Sequence, residues 1–304
     1  MTDTSNAGLS PALVETIAGL SAGTMATLIV HPLDIVKTRM QIHRSSNAPS
    51  NTPLTTVSVL RSLMHTDRPL AALYRGLTPN LIGNASSWAS FFFFKSLAER
   101  GISSLRPAPA RLTPADYFAA SLAAGAATQV LTNPIWVLKT RMLSSNAGAE
   151  GAYPSMWAGA ARLLRAEGPR GFYRGLGVGM LSVSHGAVQF AVYDPARRWY
   201  FKWRGGEPGG HMGTEATIVL STAAKAAAGV TTYPLQVLRT RLMNSDAEAL
   251  YGRGIRGVVA RLWVEEGWRG FYRGMVPGVV RVLPATWVTF LVYENVRYYL
   301  PRWV

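Results

Sequence analysis

Three phrases in this chain repeat one another about every hundred residues, and that repetition restricts the fold more than any other feature. "HPLDIVKTRMQ" begins at His31, "NPIWVLKTRML" at Asn133 and "YPLQVLRTRLM" at Tyr233. "YRG" follows at Tyr74–Gly76, Tyr173–Gly175 and Tyr272–Gly274. "EGPRGFYRG" from Glu167 matches "EGWRGFYRG" from Glu266, and the first copy has the looser "TDRPLAALYRG" from Thr66. "VYDPAR" from Val192 matches "VYENVR" from Val292. Ordered markers at a fixed period decide an architecture, and a period of about a hundred residues is too long for a short-unit solenoid. The chain reads as a single domain of three repeats, 9–110, 111–208 and 209–304.

Each repeat contains two stretches close to the ~20 residues that a helix needs to cross hydrocarbon. They are 13–32 and 79–98, 117–138 and 176–196, 215–236 and 276–297. Small residues at four-residue spacing, such as Gly19 and Gly23, let helix backbones approach closely in lipid. Polar groups inside such spans belong on an interior or water-facing side, because lipid cannot satisfy them. Six spans return both termini to one side. Between them lie short amphipathic helices, "SMWAGAARLLRAEG" from Ser155, "GIRGVVARLWVEEG" from Gly254 and the weaker "PLTTVSVLRSLMHTD" from Pro53. Arginines concentrate in these loops, which places them on the negatively charged interior side. A soluble helical repeat protein would show charged faces, and "AASLAAGAATQVLTNPIWVL" shows none.

Composition agrees. The 304 residues carry a net charge of +15, yet only 15% are charged and 48% are hydrophobic, with nine tryptophans. No run of five cations suggests a nucleic-acid arm. With no cysteine, disulfides and thiolate metal sites are excluded. The start "MTDTSNAGLSPAL" has neither an Arg-rich amphipathic segment nor a signal core, so no removable targeting peptide is expected. An enzyme lacks its parts here. There is no Gly-rich phosphate loop after a strand, no GxSxG and no metal cluster among the five histidines. His31 precedes a proline, and His211 lies in the loop "GGEPGGHMGT".

These motifs resemble the signature of the mitochondrial carrier family: Pro-x-acidic-x-x-basic-x-basic, an acidic-Gly phrase and aromatic-basic-Gly, three times over. The resemblance covers nearly the whole chain. It implies an all-α membrane protein, a threefold pseudosymmetric bundle of six transmembrane helices with short matrix-side amphipathic helices. It further implies alternating access about a central site in the inner mitochondrial membrane, with both termini in the intermembrane space. The carrier is expected to act as a monomer among inner-membrane lipids, cardiolipin included.

The resemblance also assigns residues. Pro32, Pro134 and Pro234 would kink the odd helices. A matrix gate would use Asp34, Lys37, Lys139 and Arg239, with Asp34 meeting Lys139. Trp136 and Gln236 stand where acids are expected, which leaves one ion pair there. Gln41 fits the family's glutamine brace, and Leu143 and Met243 do not. On the cytoplasmic side Tyr193, Asp194, Arg197, Tyr293, Glu294 and Arg297 fit the opposite gate. Ser96 and Glu99 break its pattern, so Asp194 with Arg297 is the clear pair. The family's substrate contacts, some seven residues past each "YRG" glycine, fall on Gly83, Ser182 and Arg281.

Arg281, in "MVPGVVRVLPATWVTFLVY", is a costly charge inside a span and an anion anchor by default. No acid stands in the middle of any span to neutralise it. Lys225, in "STAAKAAAGVTTYP", is the second such cation, or else a helix-end lysine that snorkels to the headgroups. Asn80, Asn84, Ser87 and Trp88 add amides and an aromatic face, and "SVSHGAVQF" adds Ser184, His185 and Gln189. Trp88 is either a stacking platform or a lipid-facing or packing residue, and His185 either a ligand contact or a packing histidine. Such a face suits a flat heterocycle carrying negative charge. "GLSAGTMATLIVHPLDIVKTRMQ", "NPIWVLKTRM", "SHGAVQF" and "YPLQVLRTRL" resemble the FAD and folate carrier branch, the first stretch most of all its fungal FAD-carrying members. That implies FAD as transported substrate rather than cofactor, with folate as the alternative and NAD or a pyrimidine nucleotide behind it. Degraded gates also fit a non-transporting membrane adaptor, against which Arg281 and Lys225 argue, since an adaptor gains nothing from buried charge.

Overall fold

The computed structural model describes residues 11–43, 55–105, 112–145, 152–204, 212–245, 247–252 and 254–303, and every regular element among them is a helix. Most of the N-terminal stretch searched for a targeting peptide, His211 and the repeat boundaries at 110 and 208 lie outside these residues. Six long helical stretches carry the expected spans. They are α1 (Pro11–Ile42), α4 (Leu77–Ser104), α5 (Pro114–Ser144), α7 with α8 (Leu176–Ser182, His185–Arg204), α9 (Thr214–Met243) and α12 with α13 (Met275–Val280, Val282–Trp303). The amphipathic segments form α2 (Thr56–Met64), α6 (Met156–Gly171) and α11 (Gly254–Gly270); α3 (Pro69–Leu73) and α10 (Ala247–Tyr251) are short additions. Val14–Ile42, Leu176–Arg204 and Met275–Leu300 are long and apolar enough to cross a membrane. The other three long helices have the length but are diluted by small and polar residues.

The chain divides into two compact units. In the first (Met1–Asn84, Leu138–Gly168, Arg273–Val304), α1 packs along α13 and against α12, and α2 and α3 close over its C-terminal half. Ile35, Val36, Met40, Val59, Leu63 and Leu143 form a core there. In the second (Ala85–Val137, Pro169–Tyr272), α9 packs against α7, α8, α10 and α11. The close-approach stripe of α1 is Val14, Ala18, Ala22, Ala26 and Val30, all buried at strict four-residue spacing. That corrects the glycine reading. Gly19 and Gly23 sit one position round the helix, exposed, with nothing nearby.

The three motif prolines lie inside continuous helices, so the odd spans run a further turn or more beyond the expected ends. Each proline strips its i−4 carbonyl of a partner. Around them, hydroxyls bond back to the helix: Thr27 donates to the Gly23 carbonyl, Thr132 to Thr128 and Thr232 to Ala228, each at 2.8 Å. The interruptions fall instead in the even spans, between α7 and α8 after Ser182, and at Arg281 between α12 and α13. At the second, Pro284 has no N–H to offer the Val280 carbonyl. Both breaks therefore coincide with positions seven residues past a "YRG" glycine.

The residue before each proline docks on the "YRG" turn of its own repeat. His31 stacks on Tyr74 and lies 2.9 Å from the Arg75 carbonyl. Asn133 donates to the Phe172 and Arg174 carbonyls at 2.8 and 3.2 Å. Tyr233 stacks on Tyr272 with ring centroids 6.2 Å apart. The turn arginines then reach the next repeat. Arg75 donates to the Met142 and Tyr153 carbonyls at 2.7 and 3.0 Å. Arg174 lies 3.7 Å from Glu248, and Arg273 donates to the His43 carbonyl at 2.9 Å. The turn glycines Gly76 and Gly175 have φ of 73° and pack under Leu143 and Met243. Those two side chains, in the brace positions that lack glutamine, are buried plugs.

Candidate functional site

The charged centre of the first unit is Asp34. Because α1 continues past Pro32, this carboxylate sits within a helix that packs against α12 and α13, level with Arg281. Arg281 donates from Nη1 to Asp34 Oδ1 in a close ion pair. Lys139 Nζ lies 3.8 Å from Oδ2. Lys37 is near enough to act on both Asp34 and Arg281. Asn80 Nδ2 donates to Asp34 Oδ2 at 3.3 Å and lies 3.0 Å from His31 Nδ1. A carbonyl only accepts, so His31 Nε2 carries the proton toward Arg75 and Nδ1 accepts from Asn80. Asn84 donates to Asn80 Oδ1 at 3.4 Å, and Gly83 is buried beside them on α4. Asp34 side-chain exposure is 8%, against 36% for Arg281, so the guanidinium is the accessible edge of this group.

This arrangement brings together the expected pair, Asp34 and Lys139, but it also corrects a reading. Arg281 does have a neighbouring acid. The sequence hid it because the proline motif placed Asp34 at a helix end, whereas the helix runs on to Ile42. His31 and Asn80 are the members that motif spacing overlooked as a pair. The repeated pre-proline position was the available signal for the first.

The second unit contains the counterpart around Arg239. Its Nη2 donates to Asn133 Oδ1 at 3.4 Å. Trp136 and Gln236, half-buried, provide no charge to match it. A Cβ on Gly179 would stand 3.2 Å from Arg239 Cζ and 3.3 Å from Gln129 Oε1, so bare backbone faces this guanidinium. One turn on, Ser182 Oγ donates to the Val178 carbonyl at 2.9 Å. His185 Nδ1 lies 2.8 Å from Thr232 Oγ1, which itself donates to Ala228, so the ring nitrogen donates. Lys225 is exposed and close enough to act on His185. Gln189 is half-buried a turn beyond it. Trp88, 64% exposed, stacks on Phe92, and Ser87 precedes it on α4.

The family description "mitochondrial carrier protein" matches residues 9–104, 110–203 and 211–302. The chain belongs to the mitochondrial carrier family. It is 35% identical to the mitochondrial FAD carrier protein FLX1 of Saccharomyces cerevisiae, over 96% of this chain and 98% of that protein. It is 34% identical to the chloroplastic folate transporter 1 of Arabidopsis thaliana, over 92% of each. With the chloroplastic nicotinamide adenine dinucleotide transporter 1 of the same plant it shares 32%, over 95% of this chain and 92% of the relative. The carrier is thus an all-α membrane transporter built of three repeats.

At the opposite end of its helices the carrier departs from expectation. Arg297 Nε lies 3.1 Å from Glu15 Oε1, and Tyr293 donates its hydroxyl to the same carboxylate. Glu15, which lies outside every repeated motif, reaches Arg297 because α1 packs along α13. Glu99 takes Lys95 of its own helix at 2.9 Å, one turn from Ser96. Arg197 lies over the Phe201 ring at 5.6 Å, and Asp194 and Glu294 are exposed.

Two further ties hold the motif regions. Arg141 pairs with Glu167 at 2.6 Å and Arg241 with Glu266 at 2.8 Å. The first repeat lacks the acidic-Gly phrase, and there Arg39 donates to the Leu143 and Ser145 carbonyls at 3.2 and 3.4 Å instead.

Proposed function

We propose that this carrier moves FAD across the mitochondrial inner membrane by alternating access, with both termini in the intermembrane space. One observation carries the reading: Lys37, Lys139 and Arg281 gather around the single carboxylate of Asp34 within spanning helices. Charge inside a span is expensive and marks a substrate path. A net positive group suits a dianion such as the pyrophosphate of FAD, which a guanidinium fork grips through paired N–H donors. The similarity to the yeast FAD carrier over nearly all of both chains supports the same substrate. Gly83, Asn84, Ser87 and Trp88 with Ser182, His185, Gln189 and Lys225 are assigned to the heterocycle and its tail. Asp34, Lys37, Gln41, Lys139 and Arg239, flanked by Trp136 and Gln236, are assigned to matrix-side closure. Ser96, Glu99, Tyr193, Asp194, Arg197, Tyr293, Glu294 and Arg297 are assigned to the cytoplasmic side.

Tetrahydrofolate is the second reading, favoured by the similarity to the plant folate transporter. Purified protein in liposomes, offered radiolabelled FAD, tetrahydrofolate, NAD and UTP, separates them. FAD uptake above the other three is the expected result. Uptake of amino acids or inorganic phosphate with no response to flavins or folates would overturn the assignment, and no uptake at all would favour a membrane adaptor.

A further inference from the structure

The Asp34–Arg281 contact is an anion site already filled by the protein's own carboxylate. Arg281 is the anchor proposed for the substrate anion, and in this structure its guanidinium is committed to a carboxylate 247 residues away in sequence. The two oxygens of Asp34 are used differently. Oδ1 takes Arg281; Oδ2 takes Asn80 at 3.3 Å and faces Lys139 at 3.8 Å. Asp34 therefore has a second set of partners, on the other oxygen, to retain when Arg281 leaves. Asn80 is in turn fixed by His31, whose other nitrogen is tied to the Arg75 carbonyl of the "YRG" turn. The carboxylate makes its closest contact with Arg281 on one oxygen and keeps longer contacts, to Asn80 and Lys139, on the other.

We propose that Asp34 is an exchangeable counter-anion: it occupies Arg281 when the carrier is empty and yields it to the anionic group of the substrate, keeping Asn80 and Lys139. Asn80 and His31 are positioning residues for that exchange. The proposal rests on Arg281 being the substrate anchor. It gives the chain a reason to keep one acid among three cations. Without Asp34 the empty site would hold uncompensated charge in a span; with it, the empty carrier can return without trapping stray anions. The cost is competition. If the fork is free about one-tenth of the time, apparent affinity falls about tenfold below the intrinsic value.

The exchange predicts a split that general damage does not produce. In proteoliposomes, Asp34→Asn is expected to lower the KM for FAD about tenfold, by removing the competitor, while Vmax falls because the empty site no longer has its internal anion. Asn80→Ala keeps the carboxylate but weakens the state to which it retreats. It is expected to raise KM about threefold, with Asn80→Ser restoring most of the loss. Unfolding temperature in detergent, with and without sodium pyrophosphate, accompanies each variant, and Asp34→Asn is expected to gain more from pyrophosphate than the parent does. An unchanged or raised KM in Asp34→Asn would overturn the proposal. If Asp34→Asn does not fold, an unchanged or lowered KM in Asn80→Ala overturns it alone. Failure of the FAD reading looks different: the parent then takes up tetrahydrofolate, NAD or UTP but not FAD, and the same KM comparisons apply to that substrate. A parent that carries none of the four removes the exchange together with the transport.

Discussion

His31 Nε2 and the carbonyl of Arg75 lie 2.9 Å apart across forty-four residues of chain, joining the proline motif to the "YRG" turn of the same repeat. The imidazole is fully buried and its two nitrogens are both used, one by Arg75 and one by Asn80. The junction recurs with other chemistry, as an amide at Asn133 and a phenol ring at Tyr233. The repeat thus preserves a contact rather than a residue.

His31→Ala would strand the Arg75 carbonyl and an Asn80 N–H in a buried space. A loss of about 2–3 kcal/mol is expected, since an unmade buried hydrogen bond costs the desolvation of the group left behind. His31→Asn, which copies the second repeat, is expected to lose about half as much. Unfolding midpoints of the two variants in detergent check this; equal losses would mean that His31 contributes packing alone.

The Arg241–Glu266 pair is the more enclosed of the two motif pairs, with side-chain exposures of 0% and 4%. In Arg141–Glu167 the glutamate is 18% exposed. Removing one partner of a buried pair costs about 3–5 kcal/mol, and a wetter pair costs less. Glu266→Gln is therefore expected to lower the unfolding temperature clearly more than Glu167→Gln. The reverse order would show that the third repeat tolerates a bare Arg241, with its guanidinium over the Tyr251 ring at 5.3 Å.

Much of this was legible in the sequence because a threefold repeat states its own exceptions. The looser phrase from Thr66 was visible as the first repeat's exception, but not its consequence, that Arg39 takes carbonyls as acceptors. Asp34 meeting Lys139 followed from the resemblance to the carrier family. What escaped notice were contacts made by unrepeated residues. Glu15 belongs to no motif, so its hold on Arg297 and Tyr293 had no signal. The Ala18, Ala22 and Ala26 stripe was obscured because glycine one position away has the same spacing, and only the helix phase separates the two faces.

Gly76 has φ 73°, and a Cβ there would stand 2.3 Å from Leu143 Cδ1. Gly254 has φ 70° with open space around it. Both substitutions to alanine carry the left-handed backbone penalty of about 1 kcal/mol, and only Gly76→Ala must also displace a buried leucine. Gly76→Ala is expected to be the less stable by about 1–2 kcal/mol or more, with Leu143→Ala partly relieving it in the double variant. Equal midpoints for the two alanine variants would mean that Leu143 yields freely.

Arg281 and Asp34 form a pair, so two explanations of Arg281 have to be separated. If the arginine only neutralises Asp34, removing both charges should restore what removing one destroys. If it anchors the substrate, the double variant stays inactive. Arg281→Ala is expected to abolish FAD uptake nearly completely, and Arg281→Lys to weaken it despite the retained charge, because an ammonium lacks the guanidinium's paired donors. Asp34→Ala combined with Arg281→Ala is expected to regain thermal stability, as the buried acid loses its need for a partner, but not uptake. Stability and transport should therefore part company in this one variant. Recovery of uptake alongside stability would reduce Arg281 to a structural counter-charge and move the anion site elsewhere.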